Sequence, residues 1–220
     1  FSSAEENRRF YAEDWGVSPD EVDAVMATKH AGRGGAADRR AAVAALARDR
    51  SLPLASHDDR TPEQVDEAHE LGATVVEFPL TVAAARRARK LGMRTVLGAP
   101  NAVRGRSTAP GNLLVAEAVS DGLCDVLCSD YLPGSLLRAP FTLAAGDLRL
   151  LSELVDLTAA NPAAALGLPA PTIAVGQPLH AALVQPVGDL PLPVAMWRSG
   201  RLVQRRGPVT HHAQPDGSFP

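Results

Sequence analysis

Four short apolar runs constrain this chain more than any other feature. Leu52-Pro53-Leu54-Ala55-Ser56, Thr74-Val75-Val76-Glu77-Phe78, Thr95-Val96-Leu97-Gly98-Ala99 and Asp125-Val126-Leu127-Cys128-Ser129 have the length and composition of buried strands. They recur about every 21 residues at first, then after a longer gap. Helix signals fill the intervals. Thr61-Pro62-Glu63-Gln64 is a capping box whose helix runs to Leu71-Gly72, and Thr81 to Gly92 forms the next helix. Alternation at this spacing predicts βα units and a parallel sheet. Polar residues follow the strands directly: His57-Asp58-Asp59, Asn101 to Ser107, and Asp130-Tyr131. That edge carries the chemistry of parallel α/β folds.

Four strands are half of an eight-stranded barrel, and closure needs all eight to remove the sheet edges. The expected fold is therefore α/β, the C-terminal half of a TIM-like (β/α)8 barrel, with the first half expected outside this chain. A free-standing four-stranded α/β layer is the alternative. The first fifty residues read as helices. Ser18-Pro19-Asp20-Glu21 has the cap, the early proline and the acidic first turn of a helix start, and Ala36 to Arg50 follows the glycine-rich break at 32–35. A helix from Leu148 to Thr158 leads to Asn161-Pro162-Ala163. Short strand-and-turn elements then end in Met196-Trp197-Arg198-Ser199-Gly200-Arg201-Leu202-Val203. These predict a partial barrel over 1–165, a small composite β-sandwich segment over 166–206 and a frayed tail over 207–220. The chain opens on Phe1, within helical sequence, as expected of a fragment or a processed chain.

A hydrophobic share of 45% and a charged share of 21% suit a soluble globular protein. The net charge of -3 supplies no basic field for nucleic acid. No apolar run reaches membrane-spanning length, and no signal peptide is evident. Cys124 and Cys128, four apart, read as reduced core residues of one strand, in keeping with a cytoplasmic location. Neither nucleic acid nor membrane is expected as a partner; a homo-oligomer stays open.

Three segments can carry chemistry. His57 follows a strand end and precedes two carboxylates; it suits a metal ligand, or a structural imidazole beside a capping cluster. Asp130 is a carboxylate at the end of an apolar strand, which needs a partner or a metal, or caps the next segment. Ala99 to Ser107 reads as a loop in which Arg104 and Arg106 flank a glycine beside Asn101 and Ser107, either an anion cradle or a solvated basic loop. His30, His69, His180, His211 and His212 read as structural or solvated. Neither a Walker loop nor GxSxG is present.

Taken in order, Leu54-Ala55-Ser56-His57-Asp58-Asp59, Glu77-Phe78-Pro79, Gly98-Ala99-Pro100-Asn101-Ala102-Val103-Arg104-Gly105 and Cys128-Ser129-Asp130-Tyr131-Leu132-Pro133-Gly134-Ser135-Leu136-Leu137 resemble one family. It is the α-D-ribose 1-methylphosphonate 5-triphosphate diphosphatase family of the amidohydrolase superfamily. Asn161-Pro162-Ala163 with Leu166-Gly167-Leu168 resembles the superfamily's closing signature, and Met196 to Arg201 its terminal strand.

The resemblance implies a (β/α)8 barrel, a small β domain and divalent metals, zinc or manganese, at the barrel mouth. It implies a hydrolase of phosphonate metabolism that converts a phosphorylated sugar phosphonate, the ribose 5-triphosphate, to the 5-phosphate and pyrophosphate. His57 then corresponds to a metal ligand. Asp130 corresponds to the last-strand aspartate, which binds metal and takes a proton from the attacking water. Both are expected to point into one shared mouth. Residue chemistry adds Arg104 and Arg106 against phosphate charge, with Asn101 and Ser107 as supporting donors. This sequence departs from the family in two places. The first-strand HxH or HxD is absent, and Arg104 to Asn112 stands where the family more usually has Gly-Gly-Ser and a further His. Two other readings remain: an amidohydrolase cleaving a C–N bond, and a catalytically incomplete half-barrel.

Overall fold

The computed structural model describes residues 4–32, 34–107, 111–188 and 190–207. All four predicted strands form, each within two residues of its apolar run: β1 (Leu54–His57), β2 (Ala73–Glu77), β3 (Arg94–Gly98) and β4 (Val126–Cys128). They make one parallel sheet in the order β1-β2-β3-β4, so neighbours in sequence are neighbours in space.

Three helices precede the sheet: α1 (Ala4–Trp15), α2 (Pro19–Ala31) and α3 (Ala36–Asp49). The guanidinium of Arg8 joins the first two through Asp20 and Asp23, at 3.0 and 2.8 Å. The crossovers are α4 (Pro62–Glu70), after β1, and α5 (Val82–Lys90), after β2. Thr61 caps α4 in the capping box read from the sequence, with Gln64 answering it. Val65, Ala84 and Ala88 on these helices bury against Val76 of the sheet and Met93 just before β3, each at or below 4% exposure. This apolar burial fixes one face of the sheet.

The stretch after β3 corrects the expected loop. It is a short helix, α6 (Ala99–Arg104), and α7 (Val115–Ser120) comes before β4. Pro100 sits in the first turn of α6, and Gly105 ends it at φ 66°. After β4 come α8 (Ser135–Ala144), α9 (Leu148–Asp156) and α10 (Ala160–Ala165). Together α6 to α9 close a second core around Leu97, Ala102, Leu123, Leu127 and Leu154. Asn161, from the NPA segment, donates its side-chain amide to the Asp125 carbonyl at 2.8 Å and so ties α10 to the start of β4.

The other face of the sheet is less covered. Strand register puts His57 beside Glu77 and Glu77 beside Val96. Ala55 and His57 are exposed on this side, and Val75, Glu77 and Val96 are half-buried. Parallel strands are ordinarily covered on both faces.

A second sheet of β5 (Ala181–Val187), β6 (Leu190–Arg198) and β7 (Arg201–Arg205) is an antiparallel meander. Among the described residues it is a single layer, where a sandwich needs two. Met196 to Arg201, expected as a terminal strand, is not one strand. Ser199 and Gly200, at φ 51° and 77°, turn it into a hairpin, because paired positive φ angles match the twist of the flanking strands. Within the predicted tail, residues 208–220 lie outside the described set. No described helix is long and apolar enough to cross a membrane.

Candidate active site

The polar residues that follow the strands do gather at one edge of the sheet. Asp58, Phe78 and Asp130, just beyond β1, β2 and β4, have positive φ angles of 61°, 52° and 46°. Non-glycine residues rarely adopt this conformation, and for a bulky aromatic it is a clear outlier. Their backbone is tied across the strands: Asp58 N–H donates to the Glu77 carbonyl at 3.0 Å, and Phe78 N–H to that of Val96 at 2.9 Å. The third strand ends differently, in Gly98 and then α6. There a Cβ would stand 3.4 Å from the Phe78 ring and 3.7 Å from Asn101 Nδ2.

These residues enclose a cleft of about 100 Å³. Its polar lining comprises Asp58, Asn101, Ser107, Asn112 and Asp130, on an apolar floor that includes Phe78, Leu97 and Leu113. Of the residues expected from sequence, Asn101, Ser107 and Asp130 therefore meet here. Asp58 and Asn112 join them. Asp58 was legible as a cap or as a carboxylate orienting His57, and no signal in the sequence singled out Asn112.

His57 is not in this cleft. It stands at one end of a larger groove of about 560 Å³ between α3, β1 and α4. Two of its charged lining residues, Arg40 and Glu67, pair with each other. The His57 ring lies between two carboxylates, with Nδ1 3.3 Å from Asp58 and Nε2 3.8 Å from Glu77. The His57 and Phe78 rings stand perpendicular, with their centres 5.3 Å apart. The expected shared mouth for His57 and Asp130 is thus two adjoining depressions, with Asp58 and Phe78 on the wall between them. Beneath, the buried Asp59 carboxylate accepts the Ser56 hydroxyl at 2.5 Å, and its backbone carbonyl accepts Leu80 N–H at 2.8 Å. Asp59 supports the turn and lines the His57 groove, not the cleft of Asp130.

Arg104 also differs from expectation. On α6 it lies one turn from Asn101, and its Nη2 donates to Asn101 Oδ1 at 2.6 Å. Its guanidinium sits 5.9 Å from the centre of the Tyr131 ring. Arg106 is exposed. Cys128 is half-buried at the end of β4 rather than in the core, and its thiol is pushed up by burial and by the nearby Glu77 and Asp130 carboxylates. Cys124 precedes β4 and is the buried member of the pair.

Among the described residues, no group of three or more His, Cys, Asp or Glu side chains is arranged to hold a metal ion. The described donors alone do not fit a zinc or manganese centre: Asp58 and Glu77 flank His57 without forming a ligand cluster with it, and Asp130 lines the neighbouring cleft.

No family model matches the chain. Over 131 residues, 59% of its length, it is 47% identical to the alpha-D-ribose 1-methylphosphonate 5-triphosphate diphosphatase of Escherichia coli (strain K12), and the match covers 34% of that enzyme. The chain therefore spans about a third of the length of this curated relative. Among solved structures, a prolidase complexed with N-methylphosphonate-L-proline aligns over 77% of this chain and 49% of its own, at 18% identity and a TM-score of 0.54. An amidohydrolase aligns over the same shares at 18% identity and a TM-score of 0.55. The chain is thus similar to the diphosphatase in sequence and to amidohydrolases in fold.

Proposed function

We propose that the chain is part of a hydrolase of phosphonate catabolism that cleaves α-D-ribose 1-methylphosphonate 5-triphosphate to the 5-phosphate and pyrophosphate. The sequence likeness to the diphosphatase carries this reading, and the polar cleft at the carboxyl edge of the sheet supports it. The consecutive parallel strands are then half of a (β/α)8 barrel, with residues 1–165 on the barrel side and 166–206 in the composite β domain.

In this reading water adds across the α–β phosphoanhydride, the anhydride P–O bond breaks and pyrophosphate leaves. Asp130, exposed at the cleft, takes the proton of the attacking water. Asn101 and Ser107 offer neutral donors to phosphate oxygens, whose charge grows as the anhydride breaks. Arg106, next to the cleft residue Ser107 in the chain, is an exposed cation. His57 remains a candidate ligand, held between Asp58 and Glu77. Since the described donors do not complete a metal centre, no step is assigned to a metal.

The test is pyrophosphate release from the ribose triphosphate, with the full-length Escherichia coli relative as positive control. Release by this chain, lost in Asp130→Asn, supports the assignment. Ammonia or ring-opened product from cyclic amides, without pyrophosphate, replaces it with C–N hydrolysis. No turnover beside an active control identifies a half that is incomplete alone.

A further inference from the structure

We infer that Arg104 is a positioning residue, which turns the Asn101 carboxamide so that its N–H donors face a polyphosphate in the cleft. The inference rests on the phosphoanhydride reading above and deepens it.

The chemistry of the two groups fixes the orientation. A guanidinium only donates hydrogen bonds, so the amide atom facing it must be oxygen. Arg104 Nη2 approaches that atom to 2.6 Å. The amide nitrogen is then forced to the other side, where it lies 3.7 Å from the position a Gly98 Cβ would take. Gly98 and Asn101 both line the cleft. Without Arg104 the carboxamide can flip by rotation about its last side-chain bond, presenting an acceptor to an anion.

Arg104 is itself held. Its guanidinium is seated by the Tyr131 ring at 5.9 Å, and Tyr131 directly follows Asp130. The contact therefore links the end of α6 to the turn after β4. A cation over an aromatic face is favourable at such an exposed site, and the planar fork serves the ring and the amide oxygen together in a way a lysine ammonium does not. Arg104 is not among the residues lining the cleft. Its positive charge reaches the ligand site through Asn101 and not by direct contact.

The experiment is calorimetric titration of the chain with inorganic tripolyphosphate, alongside the NMR signal of the Asn101 side-chain amide. Arg104→Met and Asn101→Ala should each weaken tripolyphosphate binding by roughly tenfold, the size of a charge-assisted hydrogen bond lost. The double variant should be no weaker than either single one, because both remove the same oriented donor. Arg104→Lys should fail to rescue, whereas Tyr131→Phe, which keeps the ring, should bind like the parent. In the parent, the Asn101 amide protons should shift on titration; in Arg104→Met that shift should vanish while the melting temperature is unchanged. Additive losses, or full binding by Arg104→Lys, would mark Arg104 as a direct anion contact and overturn the inference. Absence of tripolyphosphate binding by the unaltered chain would overturn the polyphosphate reading and this inference with it. Parent binding with an unaffected Arg104→Met would sink only the latter.

Discussion

Asp58 and Asp130 follow the first and last strands of the parallel sheet, share left-handed backbone angles of 61° and 46°, and line one cleft. The repetition is physical in origin. A residue that turns sharply away from a strand end directs its side chain across the sheet edge, and aspartate tolerates that conformation better than most residues. Strain of this kind collects where a site must be shaped.

A stability measurement can separate backbone from carboxylate at these two positions. Asp58→Asn and Asp130→Asn should unfold in urea with the parent's midpoint, since asparagine accepts the same angle. Asp58→Ala and Asp130→Ala should each cost about 1 kcal/mol, the usual penalty of a Cβ without local polar compensation in this region. Equal midpoints for the alanine and asparagine variants would mean that the turns carry no such strain.

A second prediction concerns the opposite end of β4. Thr95 is 1% exposed. Its hydroxyl donates to the Leu123 carbonyl at 2.6 Å and accepts the Asp125 N–H at 3.3 Å, while its own N–H reaches the Asp125 carboxylate at 2.8 Å. The Asp125 carbonyl in turn receives the Asn161 amide. Thr95→Val and Asn161→Ala should each destabilise the chain by about 1–3 kcal/mol, because each leaves buried polar groups unpaired. Neither residue lines the cleft, so tripolyphosphate affinity should hold in both variants. Lost affinity at unchanged stability would contradict a purely structural role for the NPA segment.

The strands were legible because buried parallel strands leave apolar runs with little else to confuse them, and two caps were legible because Ser18 and Thr61 each have an answering partner three residues on. Helix α6 was not, since six residues give too few turns for a periodic signal. Its only punctuation is Pro100 early and Gly105 at the end, which a loop carries equally well. The contact of Arg104 with Asn101 depends on that helix, because residues three apart share a face only there. The interior Pro140 argues against a helix where α8 in fact forms. At the site, sequence located the segments and three of the cleft's side chains, Asn101, Ser107 and Asp130, but not Asp58 or Asn112. Which of His57, Asp58 and Asp59 enters the cleft is decided by one backbone angle at Asp58, and no residue pattern encodes it.

The two thiols should respond to alkali with opposite visibility. Burial, with Asp125 nearby, pushes the Cys124 thiol from its ordinary value of 9.0 up to about 12. Burial first, then Glu77 and Asp130, pushes Cys128 up as well, though it is only half-buried. In the folded chain both thiols stay neutral where the unfolded chain has already ionised. Stability from this source is intact below pH 9 and falls as the pH climbs from 9 toward 12, because the unfolded state alone releases protons there. Urea midpoints taken from pH 8 upward should decline accordingly, and Cys124→Ala should flatten part of the slope. At pH 8 a disulfide reagent should label Cys128 slowly and Cys124 only after urea is added, since the thiolate is the reactive form and burial blocks access to it. Fast labelling of Cys124 without denaturant would show that β4 opens readily, and the packing of Leu123 and Leu127 in and before that strand would then be much weaker than their near-complete burial implies.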